Sequence, residues 1–417
     1  MLTVKDLGAL NGKKVYVRVD FNIPHKGDVI SDDNRIKAAI PTIADLLKKG
    51  ARVILMSHLG KVDWKKLKKG EKTQEEIDAQ MKKNCLHIAV EPLKKHLEAA
   101  LGHEVKVSFS KERGEELKAA VEALKDGDVL LAQNTRYQPG EEKNDPELAK
   151  EWASLVDVFV MDAFGSAHRA HASTYGVPEL LKAEGKPVAI GYLVEKEVEN
   201  LSRCVEVKDA DRPYVAILGG LKVTDKIQVI DTLLMKCDYI IIGGAMSYTF
   251  RKVLGADIGD SFLDESALEY AKKCLDEAKG RIILPVDSVI TDSFEPVEGR
   301  KIMVADGDIP AGFQGVDIGP KSAALFKDVI AKAKMVFWNG PMGVFEQEEF
   351  QAGTKAVCEA IRDLNGKAFT VCGGGDSASA VKQFGYKADF SHVSTGGGAS
   401  LEMIQNDGHL PGIDIIR

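Results

Sequence analysis

No apolar run in this chain approaches the roughly 18 residues that a membrane-spanning helix needs, and Met1 to Val15 carries Lys5, Asp6, Lys13 and Lys14 with no apolar segment after it. A secreted or membrane-embedded protein is not expected. Cysteine is sparse: Cys85, Cys204, Cys237, Cys274, Cys358 and Cys372 are scattered without a Cys-x-x-Cys pair. That excludes a disulfide framework or a zinc site as a reading and makes the cytoplasm the expected compartment. A lone Asn-x-Ser sequon at Asn200 then has no glycan to accept. Basic excess is missing too. The formal net charge of -7 argues against general nucleic-acid binding, which needs a basic face. Three nucleotide signatures are also absent: a Gly-x-x-x-x-Gly-Lys-Ser/Thr loop, the His-Arg-Asp and Asp-Phe-Gly pair, and Gly-x-Gly-x-x-Gly after a first strand. P-loop enzymes, protein kinases and NAD-dependent dehydrogenases are thereby disfavoured.

What is present is an alternation. With 417 residues, 44% of them hydrophobic, the chain is too long for one ordinary core, and two domains are expected. Short aliphatic runs recur at Val15 to Asp20, Val53 to Ser57, Val129 to Ala132, Val158 to Asp162, Val215 to Leu218, Tyr239 to Gly243, Ile282 to Leu284, Val336 to Asn339 and Phe369 to Cys372, each followed by helical spacing. Such continuous apolar strands belong to parallel sheets covered on both faces, so the fold class is α/β with parallel strands in each half. Ligands are then expected beyond the C-terminal strand ends. A charged stretch from Leu193 to Val205 has helical periodicity and reads as a connecting helix. The segment Lys61 to Asn84, rich in Lys and Glu with Trp64 as its one aromatic, reads as an irregular, exposed insertion.

In the first half, cationic and hydrogen-bonding residues follow the apolar runs. Asp20 and Asn22 flank Phe21 on a turn set by Pro24, where a carboxylate can accept from a substrate hydroxyl. Arg35 opens a helix, so its fork and the helix N-terminus both favour an anion. His58 and Lys61 lie in Ser-His-Leu-Gly-Lys, Arg136 in Asn-Thr-Arg-Tyr, and His168, Arg169 and His171 in Gly-Ser-Ala-His-Arg-Ala-His. Arg18, inside its strand, and His171 read as structural. Taken singly, each of the others is an ordinary surface or core residue. Gathered on one sheet rim they repel one another unless an anion fills it, and carboxylate or phosphate fits arginine forks.

Glycine concentrates in the second half. In Leu-Gly-Gly-Leu-Lys-Val-Thr-Asp-Lys, the i, i+4 spacing of Lys222 and Lys226 predicts two ammonium groups on one face of a helix after a Gly turn. Gly373-Gly374-Gly375-Asp376-Ser377 follows a strand and opens a helix, and Gly396-Gly397-Gly398 repeats the pattern. Bare amides at helix N-termini bind phosphate, and Asp376 supplies a hard oxygen for Mg²⁺. One such triplet is a common tight turn; two at strand-to-helix junctions point to phosphate.

Taken in order, Arg18-Val-Asp-Phe-Asn-Ile-Pro24, Arg35-Ile-Lys-Ala-Ala-Ile-Pro41, Ser57-His-Leu-Gly60, Asp162-Ala-Phe-Gly-Ser-Ala-His-Arg-Ala-His171, Gly219-Gly-Leu-Lys-Val-Thr-Asp-Lys226, Trp338-Asn-Gly-Pro-Met-Gly-Val-Phe-Glu346, Gly373-Gly-Gly-Asp376 and Ser394-Thr-Gly-Gly-Gly-Ala-Ser-Leu-Glu402 resemble the motifs of the phosphoglycerate kinase family, from about Val4 to the C-terminus. The resemblance implies two doubly wound, Rossmann-like parallel-sheet domains facing across a cleft and joined by a helix. Residues 1–190 would bind phosphoglycerate, 191–205 connect, 206–403 bind nucleotide, and 404–417 return to the first domain. It implies a monomer that transfers a phosphoryl group in line, on hinge-bending closure, between 1,3-bisphosphoglycerate and MgADP, giving 3-phosphoglycerate and MgATP in glycolysis or gluconeogenesis. Neither nucleic acid nor membrane is a partner. Carried over, the 3-phosphoglycerate site falls on Asp20, Asn22, Arg35, His58, Lys61, Arg136 and Arg169. The nucleotide site falls on Gly219, Lys222, Lys226, Gly244, Gly315, Asn339, Pro341, Glu346, Gly374, Gly375, Asp376 and Ser377, with Glu346 on the ribose and Asp376 on Mg²⁺. Arg35, Lys222, Gly375 and Gly398 are the expected catalytic positions. At Lys61 the family usually has arginine, so a fork is replaced by a point charge, and the insertion behind it is longer than the family pattern. The rivals are a dehydrogenase on the same fold class and a nucleotide-binding scaffold without activity. Retention of Arg35, Lys222 and Asp376 speaks against the second.

Overall fold

The computed structural model describes all 417 residues, Met1–Arg417. Internal contacts divide them into two units, Met1–Val198 with His409–Arg417, and Glu199–Gly408.

In the first unit the strands are β1 (Lys14–Val19), a small hairpin of β2 (His25–Lys26) and β3 (Val29–Ile30), then β4 (Arg52–Met56), β5 (Val107–Ser110), β6 (Val129–Ala132), β7 (Val158–Asp162) and β8 (Val188–Ile190). Six of them form one sheet in the order β5-β6-β4-β1-β7-β8, and every pairing is parallel. Helices cover both faces of a parallel sheet, which is why Val15, Val17, Val53 and Val160 on one face and Tyr16, Ile54, Phe159 and Met161 on the other are all buried. The chain leaves β1 for β4 on one side and returns with β7 on the other. The gap beyond the ends of β1 and β7 is therefore the topological switch point.

The second unit repeats the plan with β9 (Tyr214–Leu218), β10 (Tyr239–Ile242), β11 (Ile282–Ile283), β12 (Asp287–Thr291), β13 (Ile302–Asp306), β14 (Gln314–Ile318), β15 (Met335–Asn339), β16 (Phe369–Cys372) and β17 (His392–Val393). Its parallel sheet runs β11-β10-β9-β15-β16-β17, with the switch point between β9 and β15. A separate antiparallel sheet, β13-β12-β14, was not legible from the sequence pattern. Its edge strand β13 exposes Ile302, Met303 and Val304, so it lacks the burial alternation that marks a strand. The strands β5, β8 and β17 were also unexpected: β5 is half-buried at a sheet edge, and the other two span three and two residues.

The segment Lys61 to Asn84 is not irregular. It forms two helices, Trp64–Lys68 and Gln74–Lys83. Thr73 and Glu76 make a reciprocal capping box, with the Thr73 N–H donating to Glu76 Oε2 at 2.8 Å, and Val62 and Ile77 are buried beneath the charged exterior. The sequence pattern misses this because only two apolar residues mark the inner face.

The helix Tyr192–Val205 begins against the end of β7. The Leu193 N–H donates to buried Asp162 Oδ1 at 3.1 Å, and the Tyr192 N–H donates to Thr42 Oγ1 at 2.9 Å. A Cβ on Gly191 would lie 2.2 Å from that carboxylate oxygen, so glycine is required for the approach. Burial pushes the Asp162 carboxyl up to about 7, against the pull of Thr42 and the Val194 and Leu193 N–H groups. Between pH of about 4 and 7 the folded chain thus holds a proton that the unfolded chain has released, and this term loses stability as pH rises. At about 1.4 kcal/mol per pH unit the ceiling is roughly 4 kcal/mol. Asp162→Asn places an amide where the protonated carboxyl has its O–H. Its stability relative to wild type should rise across that window, as read from denaturant unfolding at a series of pH values; a constant difference would refute the assignment.

Candidate functional site

The C-terminal ends of β1, β4, β6 and β7 carry Asp20, His58, Arg136 and Arg169 respectively, each a few residues beyond its strand. Arg35 enters from the first turn of the helix Asn34–Lys48. Its Nη1 donates to both oxygens of Asp20, at 2.7 and 2.8 Å, and Asp20 in turn accepts from the Asn22 N–H at 3.1 Å. Asn22 Oδ1 accepts from the Gly60 N–H at 2.8 Å, while Arg136 Nη1 donates to the Gly60 carbonyl at 2.7 Å. The turn after β4 is therefore stitched to the ends of β1 and β6. Arg169 is exposed and its Nε contacts His168 Nε2 at 3.1 Å. Lys61 is exposed and its ammonium makes no hydrogen bond or ion pair, whereas its carbonyl accepts from Asn84 Nδ2 at 2.9 Å.

Beneath this rim lies Arg18, fully buried in β1. Its Nε donates to Ser173 Oγ at 2.8 Å, and Ser173 donates in turn to buried Glu141 at 2.7 Å. Arg18 Nη2 approaches His58 Nδ1 at 3.1 Å. A guanidinium has no lone pair to offer, so Nδ1 must be the acceptor, and the imidazole proton sits on Nε2. Burial, then the positive charge of Arg18, push the His58 imidazolium well below its usual range; Asp20 opposes, and Arg136 and Arg35 add to the shift. Burial would raise the Asp20 carboxyl, yet the Arg35 guanidinium, the Asn22 N–H and the Arg18 charge hold it low. His171, also buried, is pushed down to about 4 by burial and by Arg18, with Arg136 and Arg169 contributing. One set of arginine charges thus acts on both histidines, and the rim is a single electrostatic unit. Arg18 reads from its place inside a strand as a structural residue, and its contact with His58 joins segments that local sequence does not connect.

In the second unit the switch point is packed to the limit of backbone approach. A Cβ on Gly219 would fall 2.0 Å from the Pro341 carbonyl oxygen, and one on Gly244 would fall 2.7 Å from the Gly220 nitrogen. Asn339, at the end of β15, is buried and donates from Nδ2 to the Gly373 carbonyl at 2.9 Å. Its Oδ1 accepts from Lys226 Nζ at 2.6 Å, and Lys226 also donates to the Gly219 carbonyl at 2.6 Å. Ser377 Oγ accepts from the Gly340 N–H at 2.6 Å. Gly315, in β14, is pinned by Tyr248, whose hydroxyl a Cβ would meet at 1.9 Å.

The expected pairing of Lys222 with Lys226 on one helical face does not occur. Residues 224–226 form a 3₁₀ turn and the α-helix starts only at Ile227, so Lys222 lies in irregular chain before it. Lys222 is exposed and its charge reaches Asp264, while Lys226 turns inward as a brace. Burial pushes Lys226 down to about 8, opposed by the charges of Asp376 and Asp225. Both glycine triplets do lead into helices, Gly375–Phe384 and Gly398–Gln405, through Gly374 at φ 102° and Gly397 at φ 45°. Asp376 is exposed in the first turn of the former, and Glu346 is exposed beyond β15.

The Arg18 contact makes a direct forecast. At pH 6 His58 is expected to be neutral with its proton on Nε2, as read from the imidazole ¹⁵N shifts; an imidazolium at that pH, or a proton on Nδ1, would contradict the geometry.

Comparisons with known proteins agree over nearly the whole chain. Residues 4–407 match the family model described as phosphoglycerate kinase. Among curated relatives, the phosphoglycerate kinase of Latilactobacillus sakei is 46% identical over 99% of this chain and 98% of its own length, and that of Fervidobacterium nodosum 47% identical over 99% and 97%. The solved phosphoglycerate kinase structure from Coxiella burnetii superposes with a TM-score of 0.82 at 35% identity, covering 100% of this chain and 98% of its own; that from Pyrococcus horikoshii gives 0.80 at 30% identity, with the same coverage. With a family model spanning the strand-end motifs of both units, and relatives this similar at full length, the chain belongs to the phosphoglycerate kinase family.

Proposed function

We infer that this chain catalyses reversible phosphoryl transfer between 1,3-bisphosphoglycerate and MgADP, giving 3-phosphoglycerate and MgATP, the glycolytic reaction of its family. The observation that carries the site assignment is the cationic rim of the first unit, where the charges of Arg136 and Arg35 reach a His58 whose Nε2–H points away from Arg18, and Arg169 lies exposed beyond β7 of the same sheet. Such a rim favours an anion with more than one negative group, and 3-phosphoglycerate carries a carboxylate and a phosphate.

The roles follow from the donors present. Asp20 accepts from the substrate hydroxyl, Asn22 keeps its Nδ2 for a second bond because its Oδ1 is taken by Gly60, and His58 Nε2 donates to an anionic oxygen. Arg35 engages Asp20 through Nη1 alone, which leaves Nε and Nη2 for the ligand. Lys61 supplies a point charge. In the second unit the amides at Gly374, Gly375 and Gly398 open helices and face phosphate, Glu346 accepts from the ribose hydroxyls, and Lys222 holds the transferring group. Gly219, Gly244, Gly315 and Pro341 line the nucleotide site through backbone, while Lys226, Asn339 and Ser377 hold its wall in place.

For Mg²⁺ the donor set is fitting: no group of three or more His, Cys, Asp or Glu side chains could cage a metal, and Asp376 is a single exposed carboxylate beside the phosphate-facing amides. That is how an ion arriving with a nucleotide is held. When bound, it neutralises the phosphate oxygens. In the forward kinase direction a carboxylate oxygen of 3-phosphoglycerate attacks the γ-phosphorus of ATP, the bond to the ADP oxygen breaks, and no protein group becomes covalently attached. No helix is long and apolar enough to cross a membrane, and all six cysteines are unpaired. The free thiols favour a cytoplasmic setting, and the resemblance favours a monomer.

The test is a coupled assay in which protein, MgATP and 3-phosphoglycerate generate the acyl phosphate, read as NADH oxidation. Turnover supports the reading, and no rate above the blank defeats it; reduction of NAD without a coupling enzyme would favour the dehydrogenase instead. Lys222→Ala should lower kcat by about a hundredfold or more while shifting either KM only a few-fold, since it removes stabilisation of developing charge. Near-normal kcat in that variant would remove Lys222 from the catalytic set.

A further inference from the structure

Lys61 stands where the family pattern has an arginine, and the helices Trp64–Lys68 and Gln74–Lys83 follow at once. A set of bonds ties those helices to the end of β6. Trp64 Nε1 donates to the Arg136 carbonyl at 2.8 Å, and the Tyr137 hydroxyl donates to the Met81 carbonyl. The insertion thus grips residues 136 and 137 from both of its helices. Its exit is fixed as firmly. Asn84, buried, donates from Nδ2 to the Lys61 carbonyl at 2.9 Å, and its own carbonyl accepts from Asn134 Nδ2 at 2.9 Å, which also donates to Leu59 at 2.6 Å. The Asn84 side chain occupies the place where Gly60, at φ 59°, would carry a Cβ, with 2.4 Å to its Oδ1. Between the helices, Asp63 accepts from Lys72 and Gln80 at 2.9 Å each, and its N–H donates to Gln80 Oε1 at 2.9 Å. These bonds, Lys72 first, hold the Asp63 carboxyl down at about 2, so the clasp stays ionised and closed through the neutral range.

We propose that this helical pair is a clamp that positions Arg136 for the substrate, with Trp64 as its key positioning residue. Arg136 has an 18% exposed side chain, one donor spent on Gly60, and Glu142 3.7 Å from its Nε, so it is aimed by backbone placement more than by its own ion pair. Trp64 fixes that backbone at the residue itself. Holding one arginine in place offsets the loss of the other fork at Lys61, whose ammonium has no partner to orient it. The clamp acts on the phosphoglycerate side only, because all of its bonds lie in the unit Met1–Val198. The proposal rests on Arg136 being a ligand of 3-phosphoglycerate.

The experiment is steady-state kinetics of the full chain with Trp64→Phe, which keeps a ring and loses the donor, with Arg136→Ala, and with both. Loss of one oriented hydrogen bond should raise the KM for 3-phosphoglycerate roughly three- to tenfold in Trp64→Phe, leaving the KM for ATP and kcat within about twofold. In the Arg136→Ala background the same change should have no further effect, because Trp64 acts through Arg136. Tyr137→Phe, which cuts the other tie, repeats the test if Trp64→Phe folds poorly. Equal changes in both KM values, a fall in kcat with lowered melting temperature, or an undiminished effect in the Arg136→Ala background would each assign Trp64 a packing role and overturn the clamp. An unchanged KM in Arg136→Ala itself would instead defeat the substrate role of Arg136; a raised KM there with none in Trp64→Phe or Tyr137→Phe defeats the clamp alone.

Discussion

A parallel sheet covered on both faces has no room for chemistry along its strands, and the organisation of both units follows from that exclusion. Buried strands consume their backbone groups in the ladder and their side chains in the core. Polar function is displaced to the one place where strands end together and helices begin, the C-terminal edge. There, helix N-termini present unpaired N–H groups, and neighbouring strand ends bring distant residues within hydrogen-bond reach. Asp20, His58 and Arg136 are 116 residues apart from first to last in sequence, yet Gly60 is bonded to both Asn22 and Arg136. Arg18 is the exception inside a strand. Its burial is tolerated because its guanidinium is satisfied by Ser173, the Val19 carbonyl and His58, with Glu141 as a buried counter-charge behind Ser173. Its contact with His58 Nδ1 leaves the ring proton on Nε2.

The aliphatic runs reveal the strands, and the residues just after them reveal the rim, because both depend on local sequence: burial on two faces leaves no polar positions, and the first polar residues mark the exit. What stays hidden depends on contacts between segments. Nothing around Trp64 distinguishes an indole that meets the Arg136 carbonyl from one lying on the surface. Nothing in Lys222 and Lys226 tells that a 3₁₀ turn intervenes, turning one lysine inward to Asn339 and leaving the other exposed. Helical spacing assumes a helix that has already begun; here the α-helix starts only at Ile227, after the 3₁₀ turn Thr224–Lys226. The antiparallel strand β13 was hidden for a different reason. It is exposed on both faces, so its apolar residues carry no period to detect.

In the second unit the structure gives Gly219 and Gly244, which the resemblance places in the nucleotide site, a packing role together with Gly340. Gly219, Gly340 and Gly244 are where three chain segments touch backbone to backbone, at distances no side chain could survive. Asn339 and Lys226 then close the remaining gaps, each bonded to carbonyls of those same turns. A lysine held this way forms part of the wall rather than a mobile cation. Burial lowers its pKa to about 8, whereas Lys222 stands exposed to solvent.

On the proposed function the two rims would meet phosphate by opposite means, a difference that follows from the ligands. A phosphoglycerate is small, with a carboxylate and a phosphate at fixed separation, so recognition requires charged forks placed to within a fraction of an ångström. Side chains that long need external support, which Arg18 gives to His58, Asp20 gives to Arg35 and Trp64 gives to the backbone of Arg136. A polyphosphate chain with its own metal is longer and partly neutralised, and would be met by a surface of amides, where rigidity comes from glycine packing and not from ion pairs. Errors at the first rim should thus be felt as lost affinity for one substrate, while a Cβ added at Gly219 or Gly340 would displace backbone and disturb the whole second switch point. Supporting residues outside the family motifs can vary at the first rim, as the insertion does; the glycine contacts of the second leave no such freedom.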